Sequence, residues 1–321
     1  MKDTKIHTDK IVLVGDTIAD INTEGSLLGT SSETPTLVIS KDVDRTTLGG
    51  AALVHRNLNR LKCEHRFITG VNDADSLIKD QLYTNAFMVY TQKKTIIKQR
   101  FWCQHHKLLQ VDTIDNSPIQ KTESHIVETF IDELQPDLLV VSDYRHGFLS
   151  DDLINFINKS NIPLILDSQV SKRPANHHCY KHIYLALLNE YEALQYVPNV
   201  CWDNPRQWQD QLFENIDSQR FIIKFGKKGC IYLNKDQPRE NMHILANSIE
   251  NPVDTAGAGD AFLAALLSQW NPDKIHKAIH FATKWATRSV MVKGANPPDF
   301  AYPGEWAVEA ATKKGEDFSN D

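Results

Sequence analysis

The stretch at residues 251–260 contains the residue types and spacing that best suit chemistry. Gly257 and Gly259 flank Ala258, so the backbone N–H groups there can approach an anion without a bulky side chain in the way. The apolar run at residues 261–267 predicts a helix, which would place those N–H groups at its positively polarised N-terminus. The stretch therefore predicts an anion-binding cradle made by Gly257, Ala258 and Gly259.

Asp260 would stand in the first turn of that helix. A carboxylate beside an anion cradle repels phosphate unless it has a chemical task there. The task that fits is to accept the proton of an attacking hydroxyl while the cradle stabilises the charge on a transferred phosphoryl group. The alternative is a structural helix with a glycine-rich start, since aspartate is common in first helical turns.

The composition is that of a globular protein that can bury a core. The chain has 321 residues, of which 41% are hydrophobic and 24% charged, and a formal net charge of −6 argues against binding to nucleic acid. No apolar run reaches membrane-spanning length, and the polar first ten residues do not predict a signal peptide. Five scattered cysteines without a close pair predict free thiols and a cytoplasmic location.

The order of apolar runs predicts an α/β protein. Short runs that are typical of buried strands occur at residues 10–15, 66–70, 137–142, 162–167, 182–185 and 220–225. They alternate with helical segments, which predicts a mostly parallel central sheet with helices on both faces. Residues 86–112 are instead rich in β-branched and aromatic side chains without helical periodicity. We therefore expect one domain over residues 1–321, with a small β-sheet lid built from about 21–47 and 86–112.

The segment Asp254-Thr-Ala-Gly-Ala-Gly-Asp260 closely resembles the C-terminal signature of the ribokinase (PfkB-type) family of small-molecule kinases. Further segments that resemble the family are Val14-Gly-Asp16, Gly49-Gly-Ala-Ala52 and Leu188-Asn-Glu-Tyr-Glu192. The resemblance covers almost the whole chain and is strongest to kinase domains that phosphorylate D-glycero-D-manno-heptose 7-phosphate. It implies a ribokinase-like fold and transfer of the γ-phosphoryl group of ATP to a hydroxyl of a sugar or sugar phosphate, with heptose 7-phosphate as a candidate.

The resemblance also implies residue roles. Asp260 corresponds to the catalytic base, and the amides of Gly257, Ala258 and Gly259 correspond to the anion hole. The residues expected at the sugar are Asp16, Asp20, Gly49, Gly50, Lys98, Arg100 and Asp143. The residues expected at ATP are Asn189, Glu192, Lys224, Gly226, Gly229 and Thr255.

Metal ions and a partner subunit are implied in the same way. Glu192 is expected to hold Mg²⁺ through water, and Asp254 resembles a ligand of the monovalent cation, such as K⁺, that many relatives bind. A homodimer through the lid strands is also expected, and Phe101 and Trp102 on the lid would favour it if they are exposed.

Several of these residues have a structural alternative. Asp16 or Asp20 could cap a turn, Gly49 and Gly50 could serve tight packing, and Asn189 could be a helix N-cap.

The chain also departs from the family pattern. Leu53 stands where the family usually has an asparagine that touches the sugar, and His146 and Gln169 replace two lysines of the heptose kinases. Fewer cations weaken the case for a substrate that already carries a phosphate. Two other functions therefore stay open, namely a kinase for another sugar or a nucleoside, and a catalytically silent binding or regulatory protein.

Overall fold

The computed structural model describes residues 10–72, 76–79, 81–82, 85–104, 106–169, 174–249 and 251–299. The predicted single domain over residues 1–321 therefore extends beyond the described residues at both ends. None of the helices within these ranges is both long enough and apolar enough to cross a membrane.

The described chain alternates strands and helices. Its first part contains β1 (Ile11–Gly15), β2 (Thr17–Thr30), β3 (Leu37–Gly50), α1 (Ala51–Arg60), β4 (Arg66–Asn72), α2 (Ser76–Lys79), β5 (Ala86–Thr91), β6 (Ile96–Cys103), β7 (His106–Thr113) and α3 (Lys121–Leu134). Its second part contains β8 (Leu138–Asp143), α4 (Asp151–Lys159), β9 (Leu164–Ser168), β10 (Ile183–Asn189), α5 (Glu190–Leu194), α6 (Gln209–Asn215), β11 (Arg220–Lys224), β12 (Gly229–Asn234), β13 (Met242–Leu245), α7 (Ala258–Ser268) and α8 (Ile275–Ser289).

The large sheet has the strand order β13-β12-β11-β10-β9-β8-β1-β4-β5. Its strands run parallel from β11 to β5, whereas β12 and β13 are antiparallel to their neighbours. Strand β1 shows why both faces are covered, because Leu13 packs into one hydrophobic core while Val12 and Val14 pack into the other. The predicted α/β fold, with a mostly parallel sheet and helices on both faces, is confirmed.

A second, smaller sheet has the order β3-β2-β6-β7, in which only the β2–β6 pair is parallel. The prediction of a small additional sheet is confirmed, and β6 and β7 of the predicted segment 86–112 belong to it, but the first part of that segment does not. Residues 86–91, as strand β5, pair in parallel with β4 at the edge of the large sheet. The β-branched and aromatic side chains of this segment suit either sheet, so composition could not assign it.

The segment that follows α8 returns to the small sheet and to α1. Lys293 Nζ donates to Glu24 Oε1 on β2 at 2.6 Å, and Arg56 Nη2 on α1 donates to Asn296 Oδ1 at 2.9 Å. These contacts connect the end of α8 with both elements.

Candidate active site

A cavity of about 560 Å³ lies at the carboxyl ends of the central strands. The small sheet contributes Asp20 and Arg100 to its lining, the large sheet contributes Asn189 and Lys224, and the start of α7 contributes Asp260. This volume is typical of a small-molecule site, and the position is where open α/β sheets bind ligands.

The cradle lies at the N-terminus of α7. Gly257 is the N-cap and has φ 80°, a left-handed conformation that favours glycine. A Cβ atom there would stand 2.4 Å from Leu53 Cδ2, so the space is closed to any side chain. Gly257, Ala258 and Gly259 all line the cavity, and the first turn of a helix has amides without intrahelical acceptors. The Ala258 amide makes a long hydrogen bond of 3.4 Å to the Thr255 carbonyl. The predicted cradle is therefore brought together at the cavity wall.

The amide of Ala256 already has a hydrogen-bond acceptor outside the cavity. It donates to Asp254 Oδ1 at 2.9 Å, so the Asp254 carboxylate fixes the turn before the cradle. Asp254 itself does not line the cavity.

Asp260 is a buried acid in the first turn of α7, with 4% of its surface exposed. Burial raises its pKa to about 7, and the nearby Asp167 adds to the rise. A hydrogen bond of 2.6 Å from the Tyr144 hydroxyl to Asp260 Oδ1 acts in the opposite direction, as does the charge of Lys224. A carboxylate with a pKa near neutrality is suited to take up a proton at physiological pH.

Lys224 lies at the end of β11 and pairs with Asp167. Its Nζ atom is 3.1 Å from Asp167 Oδ2 and 3.5 Å from the place where a Cβ would stand on Gly259. Burial alone would lower the pKa of Lys224, but the charges of Asp167 and Glu192 raise it above its usual value. The lysine therefore stays charged beside the cradle, where it can pair with an anion.

The small-sheet side of the cavity carries an ion pair between Asp20 on β2 and Arg100 on β6. Arg100 Nη1 is 2.6 Å from Asp20 Oδ1, and both side chains are largely buried. Gly49 makes room for this carboxylate, since a Cβ on Gly49 would lie 2.1 Å from Asp20 Oδ2. Lys98 lies next to this pair, with its Nζ 5.7 Å from the centre of the Tyr144 ring.

Asn189 and Glu192 form a capping box at the start of α5. Asn189 Oδ1 accepts from the Glu192 amide at 2.9 Å, and Glu192 Oε2 accepts from the Asn189 amide at 2.7 Å. Asn189 lines the cavity, whereas Glu192 is buried behind it. The helix N-cap that was the structural alternative for Asn189 is thus present.

The structure places Asp16 and Asp143 outside the cavity, which departs from the expectation that they contact the sugar. Asp16 Oδ2 accepts from the Tyr144 amide at 3.0 Å, and its Oδ1 accepts from the Phe148 amide at 3.2 Å. Asp143 Oδ2 accepts from the Tyr180 hydroxyl at 3.0 Å. Burial and the neighbouring Asp143 charge raise the pKa of Asp16 to about 7. Both acids therefore bind groups in or near the turn after β8. For Asp16 this agrees with the structural alternative, in which it caps a turn.

The other expected residues do meet at the cavity. Those expected at the sugar that line it are Asp20, Gly49, Gly50, Lys98 and Arg100. Those expected at ATP that line it are Asn189, Lys224, Gly226, Gly229 and Thr255. Leu53 and Gln169, two of the departures from the family pattern, line it as well, whereas His146 does not. Sequence reasoning gave no role to Tyr144, and no local pattern signals a contact between residues that far apart in the chain.

Solved structures define the fold. The chain superposes on Arabidopsis thaliana ribokinase complexed with ribose and ATP with a TM-score of 0.66 at 17% identity, covering 90% of this chain and 95% of that one. Escherichia coli phosphofructokinase-2 in complex with potassium gives 0.71 at 15% identity, with coverage of 90% and 94%. The fold is therefore ribokinase-like.

The sequence comparison gives the family. The profile of the pfkB family carbohydrate kinases matches residues 8–300, so this chain belongs to that family and is a sugar kinase. The bifunctional protein HldE of Hyphomonas neptunium is 28% identical over 272 residues, which are 80% of this chain and 54% of that protein. HldE of Campylobacter jejuni is 27% identical over 296 residues, 89% of this chain and 62% of that protein. The chain thus spans little more than half the length of these relatives.

Proposed function

We propose that this protein transfers the γ-phosphoryl group of ATP to a hydroxyl of a sugar phosphate, with D-glycero-D-manno-heptose 7-phosphate as the first candidate. In this proposal the sugar lies between the small sheet and the start of α7, beside Asp20, Lys98 and Arg100. ATP lies on the opposite side of the cavity, along Lys224 and the two glycines before and at the start of β12, Gly226 and Gly229.

Asp260 would remove the proton of the attacking hydroxyl. The amides of Gly257, Ala258 and Gly259, together with Lys224, would stabilise the charge of the phosphoryl group in flight. The small sheet would act as the lid that excludes water from this reaction.

The residues present fit Mg²⁺ held indirectly. Glu192 lies behind Asn189 and accepts a hydrogen bond from a backbone amide, so its carboxylate could act on Mg²⁺ only through water. Mg²⁺ commonly keeps several waters beside the phosphates of its nucleotide. Bound in that way, Mg²⁺ would neutralise charge on the transferred group. Asp254 is the residue we propose for a K⁺ site. This role stands on the sequence resemblance and on the position of Asp254 at the turn before the cradle.

One observation carries the proposal, namely a buried aspartate with a pKa of about 7 that stands beside a glycine cradle in the cavity wall. Asp260→Asn should lower turnover by about two to four orders of magnitude, the usual worth of a general base, while ATP binding is kept. Asp273→Asn, at an exposed aspartate before α8, is the matched control and should leave turnover unchanged. Near-normal turnover of Asp260→Asn would exclude Asp260 as the base.

The substrate assignment depends on the cations at the sugar side. Lys98 and Arg100 line the cavity there, and the position of a third expected cation is taken by Gln169. Since Arg100 already pairs with Asp20, Lys98 is the residue that we propose for the phosphate of the substrate. A charge-assisted hydrogen bond of this kind is worth about 1.5–3 kcal/mol, or roughly ten- to a hundredfold in kcat/KM.

Kinetics with matched sugars would test this assignment. We expect kcat/KM to be at least about tenfold higher for the heptose 7-phosphate than for the unphosphorylated heptose, and Lys98→Met to remove that difference. Lys107→Met, at an exposed lysine of the same sheet, is the control. A preference for an unphosphorylated sugar or a nucleoside, which the loss of the cations at His146 and Gln169 would favour, refutes the assignment of a sugar phosphate. No stimulation by any of these acceptors would favour the silent binding protein.

We also propose a cytoplasmic homodimer joined through the small sheet. Phe101 and Trp102, expected as exposed aromatics, are half-buried instead, and the Trp102 indole N–H donates to Asn22. The exposed apolar side chains of this sheet are aliphatic, and they are Leu27, Leu28, Leu37, Val38, Val43, Leu108, Leu109 and Val111. Exposed aliphatic side chains concentrated on one sheet are the kind of surface that an interface would cover.

Sedimentation velocity would test the dimer. Leu28 is 68% exposed, and Leu28→Asp should shift the protein to monomer because a charge cannot be buried unpaired at an interface. Leu245 is 64% exposed but lies on β13 of the large sheet, so Leu245→Asp should leave the dimer intact. A wild-type monomer at micromolar concentration would exclude this interface.

A further inference from the structure

We propose that Tyr144 is a positioning residue for the catalytic base: its hydroxyl holds Oδ1 of Asp260 at 2.6 Å and so directs Oδ2 towards the sugar hydroxyl. This inference rests on the proposed role of Asp260. Tyr144 lines the cavity and directly follows β8, whereas Asp260 lies in the first turn of α7. The contact joins elements that are 116 residues apart in the sequence.

The backbone around Tyr144 is built to hold it in place. Asp16, on the neighbouring strand end, accepts N–H bonds from the amides of Tyr144, His146 and Phe148. Two residues in this turn have left-handed backbone conformations, Arg145 with φ 60° and Gly147 with φ 89°. A buried acid that does not reach the cavity thereby acquires a role, because it fixes the loop that carries the tyrosine.

The electrostatics keep the Tyr144 hydroxyl a donor. Burial and the charge of Asp260 raise its pKa well above the usual value, so it does not ionise in the working range of the enzyme. Burial of Asp260 favours the protonated acid, which cannot act as a base, and the hydrogen bond from Tyr144 favours the ionised form. The tyrosine thus keeps the carboxylate both oriented and ionised at lower pH than burial alone would allow.

The contact also connects the base with the lid. The Nζ atom of Lys98, on β6 of the small sheet, lies 5.7 Å from the centre of the Tyr144 ring. A displacement of β6 would therefore change the surroundings of the Tyr144 ring, whose hydroxyl holds Asp260.

The test is the pH dependence of kcat/KM for Tyr144→Phe, which keeps the ring and removes only the hydroxyl. We expect its acid limb to move to higher pH by about one pH unit, because the hydrogen bond favours the ionised form of Asp260 and its loss raises the pKa of that carboxyl. The variant should therefore lose about tenfold more activity at pH 6 than at pH 9, while KM for ATP stays the same.

Tyr180→Phe is the matched control. The Tyr180 hydroxyl donates to Asp143 Oδ2 at 3.0 Å, so it is a buried tyrosine bonded to an aspartate of the same turn, but it does not line the cavity. Its loss should lower the melting temperature and leave the pH profile in place. An equal displacement of the acid limb in both variants would show that the turn, and not the hydroxyl, sets the profile, and would overturn the inference.

The two proposals fail separately. If Asp260→Asn is inactive but Tyr144→Phe has the wild-type pH profile, only the role of Tyr144 is wrong. If Asp260→Asn is active, the base itself is wrong. A rise in kcat/KM of Tyr144→Phe at all pH values would mean that the hydroxyl competes with the substrate for Asp260, which also contradicts positioning.

Discussion

Gly257 is a position in the cradle at which backbone conformation and packing both restrict the residue type. Replacing it with alanine adds two separate penalties. The first is the left-handed backbone at φ 80°, which costs a residue with a Cβ about 1–2 kcal/mol. The second is the contact between the new Cβ and Leu53 Cδ2, at 2.4 Å before any relaxation.

The structure offers a variant that separates these penalties. Gly226 has φ 55°, and a Cβ there would meet nothing within 4 Å, so Gly226→Ala measures the backbone penalty alone. Forcing an extra methyl group into packed surroundings typically adds about 1–3 kcal/mol, and Leu53 is only 2% exposed. We therefore expect Gly257→Ala to be less stable than Gly226→Ala by about 1–3 kcal/mol.

Chemical denaturation would measure both variants by their midpoints at an unchanged m value. A double-mutant cycle with Leu53→Ala identifies the contact, because removal of the leucine side chain should abolish the excess penalty of Gly257→Ala. Equal destabilisation by the two glycine variants, or the same penalty for Gly257→Ala with and without Leu53, would refute the packing argument.

Three further predictions concern charged groups. Burial holds the pKa of Asp260 in the folded state at about 7 against a reference of 3.8, so ionisation of Asp260 destabilises the folded state progressively as pH rises from about 4 to 7. The free energy of unfolding of Asp260→Asn should therefore exceed that of the wild type by at most about 4 kcal/mol at pH 8 and should equal it at pH 4. A difference that does not grow with pH contradicts this prediction. Arg100→Met should raise the sugar KM about tenfold or more and leave the ATP KM unchanged, because Asp20 loses its partner on the lid side only. Lys224→Met should lower both the stability and the kcat/KM for ATP, whereas adding Asp167→Asn should recover about 3 kcal/mol of stability without recovering activity. Calorimetry and kinetics on both variants test this, and recovery of activity together with stability would mean that the pair is only structural.

What the sequence could predict was local. The cradle, Asp260 and the following helix lie within one short stretch, so residue types and spacing were sufficient to place them together. The fold class followed from the alternation of apolar runs with helical segments. Asp20, Lys98 and Arg100 reach the same cavity because β2 and β6 pair in register, with Asp20 opposite Lys98.

Two strands, β2 and β5, were harder to predict from the sequence. β2 runs over residues 17–30 and includes acids, glycines and serine, which have low strand propensity, so its length depends on pairing with β3 along almost its whole extent. The placement of β5 in the large sheet depends on β4 lying beside it, which is a tertiary fact.

The fate of Asp16 illustrates the same limit within the site. Its position after β1 correctly predicted an acid at the carboxyl end of a central strand. The contacts of its oxygens depend on the turn after β8, which lies more than a hundred residues away. Amides of that turn donate hydrogen bonds to both oxygens. The partners of a carboxylate can be read from a sequence only when they are close to it in the chain.

Leu53 shows how a departure from the family pattern is accommodated. Its side chain is buried against Gly257, and Gly257 also packs close to Ala295, so the leucine packs against the cradle while it lines the cavity. An apolar residue at this position offers no hydrogen bond to a sugar. The polar groups that line the sugar side are therefore Asp20, Lys98 and Arg100 of the small sheet, with Tyr144 and Gln169 opposite. If the sugar binds there, its recognition must come mainly from the side chains of the small sheet.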